Sequence, residues 1–136
     1  MGIGAKEMDG IANRFFDAVT RGDIRAVDAC YDEGIHVWHA RDNADTTKAQ
    51  NLELLTVFFA TSQERHYDVL SRHCFDTGFV QEHVCWGAKT DGSKFRVPVG
   101  FFCSVNDKGL ITRIAEYNNA ANSPMKDFHQ EDGFRK

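Results

Sequence analysis

The 136-residue chain has no hydrophobic run long enough to cross a bilayer and no excess of positive charge. Its 16 Lys and Arg residues are outnumbered by 20 Asp and Glu residues, which gives a formal net charge of -4. We therefore expect neither nucleic acid nor a membrane as a partner. The chain opens without a hydrophobic leader, and its four cysteines form no CxxC pair. Both features predict reduced thiols and a cytoplasmic location.

The sequence also lacks the short motifs that hold common cofactors or activate nucleophiles. Its 11 glycines form neither a phosphate loop nor a dinucleotide fingerprint, and Gly-x-Ser-x-Gly is absent. His36 and His39 form an HxxH pattern, but two residues at that spacing on a strand point to opposite faces. We therefore predict a protein without a metal or a cofactor.

Phenylalanine is abundant, with 11 residues beside three Tyr and two Trp. Phe carries no polar group, so most of these side chains belong in a core and a few remain to line an apolar cavity. The length fits one domain. We assign residues 1–122 to this domain and residues 123–136 to a loose polar C-terminal tail.

Hydrophobic spacing predicts helices first and strands later. A first helix covers residues 8–21, Gly22 ends it, Asp23 caps a second helix, and a capping box of Thr47 and Gln50 starts a third. Residues 41–46 are turn-like, and strands are predicted over residues 35–40, 67–75, 79–88, 95–105 and 110–118. The pattern favours an α+β fold in which three N-terminal helices pack on a strongly curved antiparallel or mixed sheet, forming a cone with an apolar pocket.

Glu116 is an ionisable residue on a predicted apolar strand face. A two- or four-residue hairpin at 106–109 would place Ile114 opposite Phe101 and Glu116 opposite Val99. A carboxyl group in that position must be paired, protonated or next to a wet pocket, and such groups suit general acid or base catalysis. The alternative is a structural acid that bonds the backbone or a neighbouring strand.

His39 ends the first predicted strand and shares a face with Ile35 and Val37. Histidine changes charge near neutrality and can accept a proton in catalysis, so a rate that depends on this residue should vary between about pH 5 and 8. The alternative is a buried histidine that holds the loop at residues 41–46.

Two segments resemble a known family. The stretch IANRFFDAVTRGDIRAVDACYDEGIHVWHA and the closing GLITRIAEYNN are similar to SnoaL-like and ketosteroid-isomerase-like proteins of the nuclear transport factor superfamily. The resemblance covers roughly residues 8–119 and implies the cone fold with a small-molecule pocket. It does not imply one reaction, because this fold hosts isomerases, dehydratases, cyclases, epoxide hydrolases and non-catalytic binders.

The catalytic groups of the true isomerases are not reproduced. Phe15 stands at the position of their tyrosine, and His39 and Phe101 stand at the positions of their two aspartates. Glu116 aligns with the last-strand acid of the limonene epoxide hydrolases, whose Arg-x-Asp pair has no counterpart near residues 82–84. The resemblance therefore implies an activity other than ketosteroid isomerisation.

The hairpin at residues 90–93 decides which side of one strand faces the pocket. An even loop turns Glu82 and Trp86 inward, whereas a three-residue loop with a bulge at Gly92 turns Gln81, His83 and Cys85 inward. Trp86 favours the first arrangement as core. The pocket histidine of the resembling family favours His83, which we include in the site.

We predict a small-molecule pocket protein, acting as a cofactor-independent acid/base enzyme of isomerase, dehydratase, cyclase or hydratase type on a small, largely apolar compound. The alternatives are a non-catalytic binding or carrier module of the same fold, and a protein-interaction module. We also expect a homodimer formed through the outer sheet face, where Trp38 and Phe102 would lie. The predicted catalytic residues are His39, Glu116 and His83, and the predicted pocket residues are Phe15, Val19, Val37, Leu55, Phe59, Val99, Phe101, Ile114 and Asn118.

Overall fold

The computed structural model describes residues 2–119 and 123–125. Within them the chain forms three helices and six strands. In chain order these are α1 (Ala5–Arg21), α2 (Ile24–Cys30), β1 (Tyr31–His39), β2 (Ala44–Thr46), α3 (Lys48–Thr61), β3 (Ser62–Phe75), β4 (Gly78–Lys89), β5 (Lys94–Val105) and β6 (Ile111–Asn118).

The strands form one mixed sheet in the order β2-β1-β6-β5-β4-β3. β1 and β6 run parallel, and every other neighbouring pair is antiparallel. The helices pack against this sheet, so the predicted α+β class is confirmed. The parallel pair joins an early strand to a late one and lies near the middle of the sheet.

Helix ends follow the predicted capping residues. Gly22 ends α1 with a φ of +69°, which favours glycine, and Asp23 caps α2 by accepting a 3.0 Å hydrogen bond from the amide of Ala26. Thr47 and Gln50 form the predicted capping box at the start of α3. These capping residues determine where the helices begin and end.

Strands extend further than hydrophobic spacing indicated. β2 lies within the segment predicted as a turn, and it pairs with β1 while the buried Thr46 hydroxyl donates to the Val37 carbonyl at 2.8 Å. β3 begins at Ser62 rather than at residue 67, because the polar residues that follow α3 continue the pairing with β4.

The β5–β6 register differs from the prediction by two residues. Glu116 lies opposite Phe101, and Ile114 lies opposite Cys103. The connecting loop has three residues, closed by a 2.9 Å bond from the Asn106 amide to the Leu110 carbonyl, with Gly109 at a φ of +79°. The predicted pairing was therefore wrong, but the predicted face holds because a shift of two residues keeps each side chain on its side of the sheet.

The β4–β5 hairpin adopts the three-residue alternative. The Lys89 amide donates to the Ser93 carbonyl at 2.7 Å, and Gly92 has a φ of +89°. His83 consequently lies opposite Val99 and faces inward, whereas Glu82 is exposed. Glycine is needed at position 92 because other residues rarely adopt this conformation.

The predicted phenylalanine-rich interior lies between α1 and the inner face of the sheet. The ring of Phe16 lies 5.0 to 5.2 Å from the rings of Phe15, Tyr67 and Phe101. Such tilted and edge-on contacts fix the rings relative to one another and make the interior rigid. α1 therefore forms a fixed wall of the space between this helix and the sheet.

Candidate functional site

A cavity lies between the inner sheet face and helices α1 and α3. About 100 Å³ of it is open to water-sized molecules. An apolar cavity of about 150 Å³ can hold one benzene. The space here is smaller, so a ligand of ring size requires some lining side chains to move. The predicted pocket residues that line it are Phe15, Val19, Val37, Leu55, Val99, Phe101, Ile114 and Asn118.

Phe59 does not line the cavity, in contrast to its predicted placement. The inward positions of α3 are Asn51, Leu54, Leu55 and Phe58, and Phe59 is rotated about 100° away from Phe58. Its ring instead lies 4.9 Å from the guanidinium of Arg65. That buried arginine donates to the Val19 carbonyl at 3.1 Å and so fixes the end of α1.

His39 and Glu116 are direct neighbours in the parallel pair β1–β6. Both side chains line the cavity, and His39 is only 7% exposed. Neither ring nitrogen of His39 has a hydrogen-bond partner among the described residues. His39 is therefore available to a ligand and stands next to a carboxylate.

Asn118 extends the polar group formed by His39 and Glu116. Its Nδ2 donates to Glu116 Oε2 at 3.1 Å, which leaves its Oδ1 buried and without a partner in the part of the chain that the structure describes. A buried acceptor without a donor costs free energy, so this atom favours a ligand or water that can donate. Together, Glu116 and Asn118 present acceptors to the cavity.

His83 also lines the cavity. Val99 of β5 lies between His83 of β4 and Asn118 of β6 in the sheet. It is 2% exposed, and its ring packs 5.1 Å from Phe16 and 5.3 Å from Tyr67. Burial, with a smaller contribution from the positive charge of Arg72, lowers the pKa of His83 from 6.5 to about 4. At neutral pH His83 is therefore an uncharged imidazole.

Arg41 is a cavity residue that the sequence analysis missed. Its side chain is 7% exposed, lies 4.0 Å from the carboxylate of Asp42 and donates to the Met125 carbonyl at 3.0 Å. Its spacing could have indicated this position. Arg41 stands two residues after His39, and side chains two apart along an extended chain face the same side. The ion pair adds one positive and one negative charge near the His39 end of the cavity.

Part of the predicted tail reaches the cavity. Ser123, Pro124 and Met125 line it, and Met125 is buried. The rest of the predicted tail, residues 126–136, and residues 120–122 of the predicted domain lie outside the described residues.

Tyr31 and Asn51 form a hydrogen-bonded pair in the cavity wall that the sequence analysis also missed. The Tyr31 hydroxyl donates to Asn51 Oδ1 at 2.7 Å, and burial raises the pKa of this phenol well above its usual value. Burial also raises the pKa of the Cys85 thiol to about 12. Both groups are neutral at physiological pH, so Cys85 does not supply a thiolate nucleophile.

Candidate metal ligands are dispersed over the described residues. His36 and His39 lie on opposite faces of β1, as predicted. Within the described residues, no group of three or more His, Cys, Asp or Glu side chains could hold a metal ion. No helix in that part of the chain has the length and hydrophobicity needed to span a bilayer.

The fold and the cavity can be compared with known proteins. The model of the SnoaL-like domain matches residues 12–114, which is most of the chain. The protein belongs to the SnoaL-like domain family. This confirms the resemblance drawn from the sequence, whereas no curated protein matches the chain.

Solved structures share the fold at low sequence identity. PrhC from Penicillium brasilianum is similar with a TM-score of 0.77 and 12% identity, over 87% of this SnoaL-like chain and 83% of that one. BvnE pinacolase from Penicillium brevicompactum has a TM-score of 0.77 and 12% identity, over 88% and 91%. An LEH-like epoxide hydrolase of M. tuberculosis has a TM-score of 0.74 and 14% identity, over 87% and 86%.

Proposed function

We propose that this SnoaL-like protein is a cofactor-independent enzyme that moves a proton on a small, largely apolar compound. The observation that carries the proposal is the adjacency of His39 and Glu116 on the cavity wall, with the His39 ring free of hydrogen-bond partners among the described residues. Similar folds described as a pinacolase and an epoxide hydrolase are consistent with small-molecule chemistry in such a cavity.

His39 acts as the base and Glu116 as its partner. A neutral imidazole takes a proton from an acidic C–H or O–H of the bound compound, and the neighbouring carboxylate stabilises the imidazolium that forms. Return of the proton to another atom gives an isomer, and return to a leaving hydroxyl gives water and an alkene. The apolar wall of Val37, Phe101 and Ile114 excludes bulk water from these steps.

A screen followed by paired variants tests this proposal. Hydrophobic ketones of small-ring size are screened by thermal shift, and compounds that bind are then assayed for conversion. We expect His39→Ala to abolish turnover and Glu116→Gln to reduce it by about 100-fold. His36→Ala on the outer face of the same strand is the control and should leave turnover unchanged.

One outcome would contradict the enzymatic part of this proposal, and another would contradict the assigned site. A tightly bound ligand that is never converted would favour the binding or carrier module instead. Binding and conversion that are indifferent to both His39 and Glu116 would show that the site lies elsewhere.

We also propose that two copies of the chain pair through the outer sheet face. Phe102 and Tyr117 are 49% and 50% exposed, and their rings lie 5.8 Å apart. Trp38 adds a third ring 5.2 Å from Tyr117. An aromatic patch of this kind on a sheet supports an interface with an apolar partner.

A further inference from the structure

Gln81 and His83 stand two residues apart on β4, and both face inward. Gln81 is 4% exposed and His83 is 2% exposed. The side-chain nitrogen of Gln81, Nε2, lies 2.8 Å from His83 Nδ1. On the other side of the same amide, Gln81 Oε1 accepts a 2.6 Å hydrogen bond from Arg72 Nε.

The chemistry of these groups fixes the position of each proton. A guanidinium can only donate, so the amide oxygen of Gln81 must be the atom that faces Arg72. The amide NH₂ of Gln81 then faces His83, and because an NH₂ group can only donate, Nδ1 must accept. A neutral histidine whose Nδ1 accepts carries its proton on Nε2.

Arg72 is itself held in place by α1. Its Nη1 donates to Asp9 Oδ1 at 2.8 Å and to Asn13 Oδ1 at 2.7 Å. Its side chain is 11% exposed, and the guanidinium lies 5.8 Å from the ring of Phe79. A continuous series of hydrogen bonds therefore runs from the surface of α1 to His83 in the cavity wall.

The Nε2–H of His83 is left available. It makes no hydrogen bond to another residue in the ranges 2–119 and 123–125. The ring lines the cavity beside Phe101 and Tyr67, where a donor is worth more than in water because the surroundings are apolar. A neutral donor fixed in such a place stabilises negative charge that develops on a ligand oxygen without giving up its proton.

We propose that Arg72 and Gln81 are positioning residues that hold His83 in the Nε2–H form, so that it donates a hydrogen bond to a carbonyl, ether or epoxide oxygen of the ligand. The proposal deepens the proposed function by naming an acceptor oxygen as a feature of the substrate class. His83 of β4 lies opposite Val99 of β5, which lies opposite Asn118 of β6. The Cα atoms of His83 and Asn118 are therefore two strand spacings apart, or about 10 Å. The acceptor oxygen therefore binds at the end of the cavity away from the acceptors of Glu116 and Asn118.

Nitrogen-15 NMR of the imidazoles in the ligand-free protein tests the positioning step. At neutral pH we expect His83 to show a protonated Nε2 and an unprotonated Nδ1. Gln81→Glu replaces the donor with a carboxylate that can only accept, so the proton should move to Nδ1. A wild-type His83 protonated on Nδ1, or an unchanged spectrum in Gln81→Glu, would overturn the assignment.

A milder variant keeps the test valid if Gln81→Glu does not fold. Arg72→Met removes the donor that orients Gln81, so we expect the Nδ1–H form to appear alongside the Nε2–H form. Arg96→Met, an exposed arginine on β5, is the matched control and should leave the His83 signals unchanged. Identical His83 signals in wild type and Arg72→Met would contradict the role of Arg72.

Cyclohexanone and methylcyclohexane, two rings of similar size, test the donor step. We expect cyclohexanone to shift the His83 Nε2 signal and methylcyclohexane to leave it in place. An unchanged signal with cyclohexanone near its solubility limit would overturn the ligand half of the proposal. These measurements need no turnover. An inactive protein with the expected spectra would therefore refute the enzyme proposal alone. A wrong tautomer of His83 would refute the present proposal but not the proposed role of His39 and Glu116.

Discussion

The two faces of the sheet differ although consecutive residues of the same strands build both. His39, Phe101 and Glu116 face the cavity, and the residue beside each of them, Trp38, Phe102 and Tyr117, faces outward. The inner face combines apolar walls with histidines and a carboxylate. The outer face presents a group of aromatic rings. A register shift of one residue would exchange the two sets, so the turns that fix the register also determine the site.

The neighbouring pair Phe101 and Phe102 gives the largest expected difference between the faces. Phe101 is 4% exposed and Phe102 is 49% exposed. Phe101→Ala leaves a cavity in the core and should lower the free energy of unfolding by about 3–5 kcal/mol. Phe102→Ala should lower it by less than about 1 kcal/mol. Urea denaturation at low protein concentration measures both, and equal losses would mean that the faces are not distinct.

The buried histidine of the inner face predicts a pH dependence of stability. Because the folded pKa of His83 is about 4 and the unfolded pKa is 6.5, the unfolded chain binds a proton first as the pH falls. The wild type should lose up to roughly 3 kcal/mol between pH 6.5 and 4 relative to His83→Phe, and no more below that range. Urea titrations of both proteins across this range measure the difference, and parallel profiles would show that His83 is not buried as described.

The outer face can be altered without touching the cavity. Phe102→Glu combined with Tyr117→Glu places charges on the aromatic patch and should convert a dimer into a 15.4 kDa monomer while ligand binding is retained. Light scattering at micromolar concentration measures the mass. A wild-type protein that is already monomeric would refute the interface, and a variant that no longer binds ligand would show that the two faces are coupled.

Local patterns in the sequence predicted much of the fold. The alternation from Phe95 to Val105 assigned the faces of β5, and Gly22 and Asp23 marked the break between α1 and α2. The hairpin registers could not be assigned in this way. Asp91-Gly92 is compatible with loops of even or odd length, and the outcome depends on the backbone conformation of one glycine.

The site depends more strongly on contacts between distant parts of the chain. His39 and Glu116 were selected separately, and only the parallel pairing of β1 with β6 makes them neighbours. Arg41 was missed because its buried position depends on Met125, 84 residues away, which no local pattern indicates. The catalytic roles of His39, Glu116 and His83 stay predictions.

A double-mutant cycle tests most directly the claim that His39 and Glu116 form one site. The affinity for a ketone selected by thermal shift is measured in wild type, His39→Ala, Glu116→Gln and the double variant. A matched cycle uses His36 and Arg113. These residues are also neighbours in the register of β1 and β6, but their side chains are exposed on the outer face. We predict a coupling of about 1 kcal/mol or more in the first cycle and none in the second. Additive losses within about 0.5 kcal/mol at His39 and Glu116 would contradict the shared site.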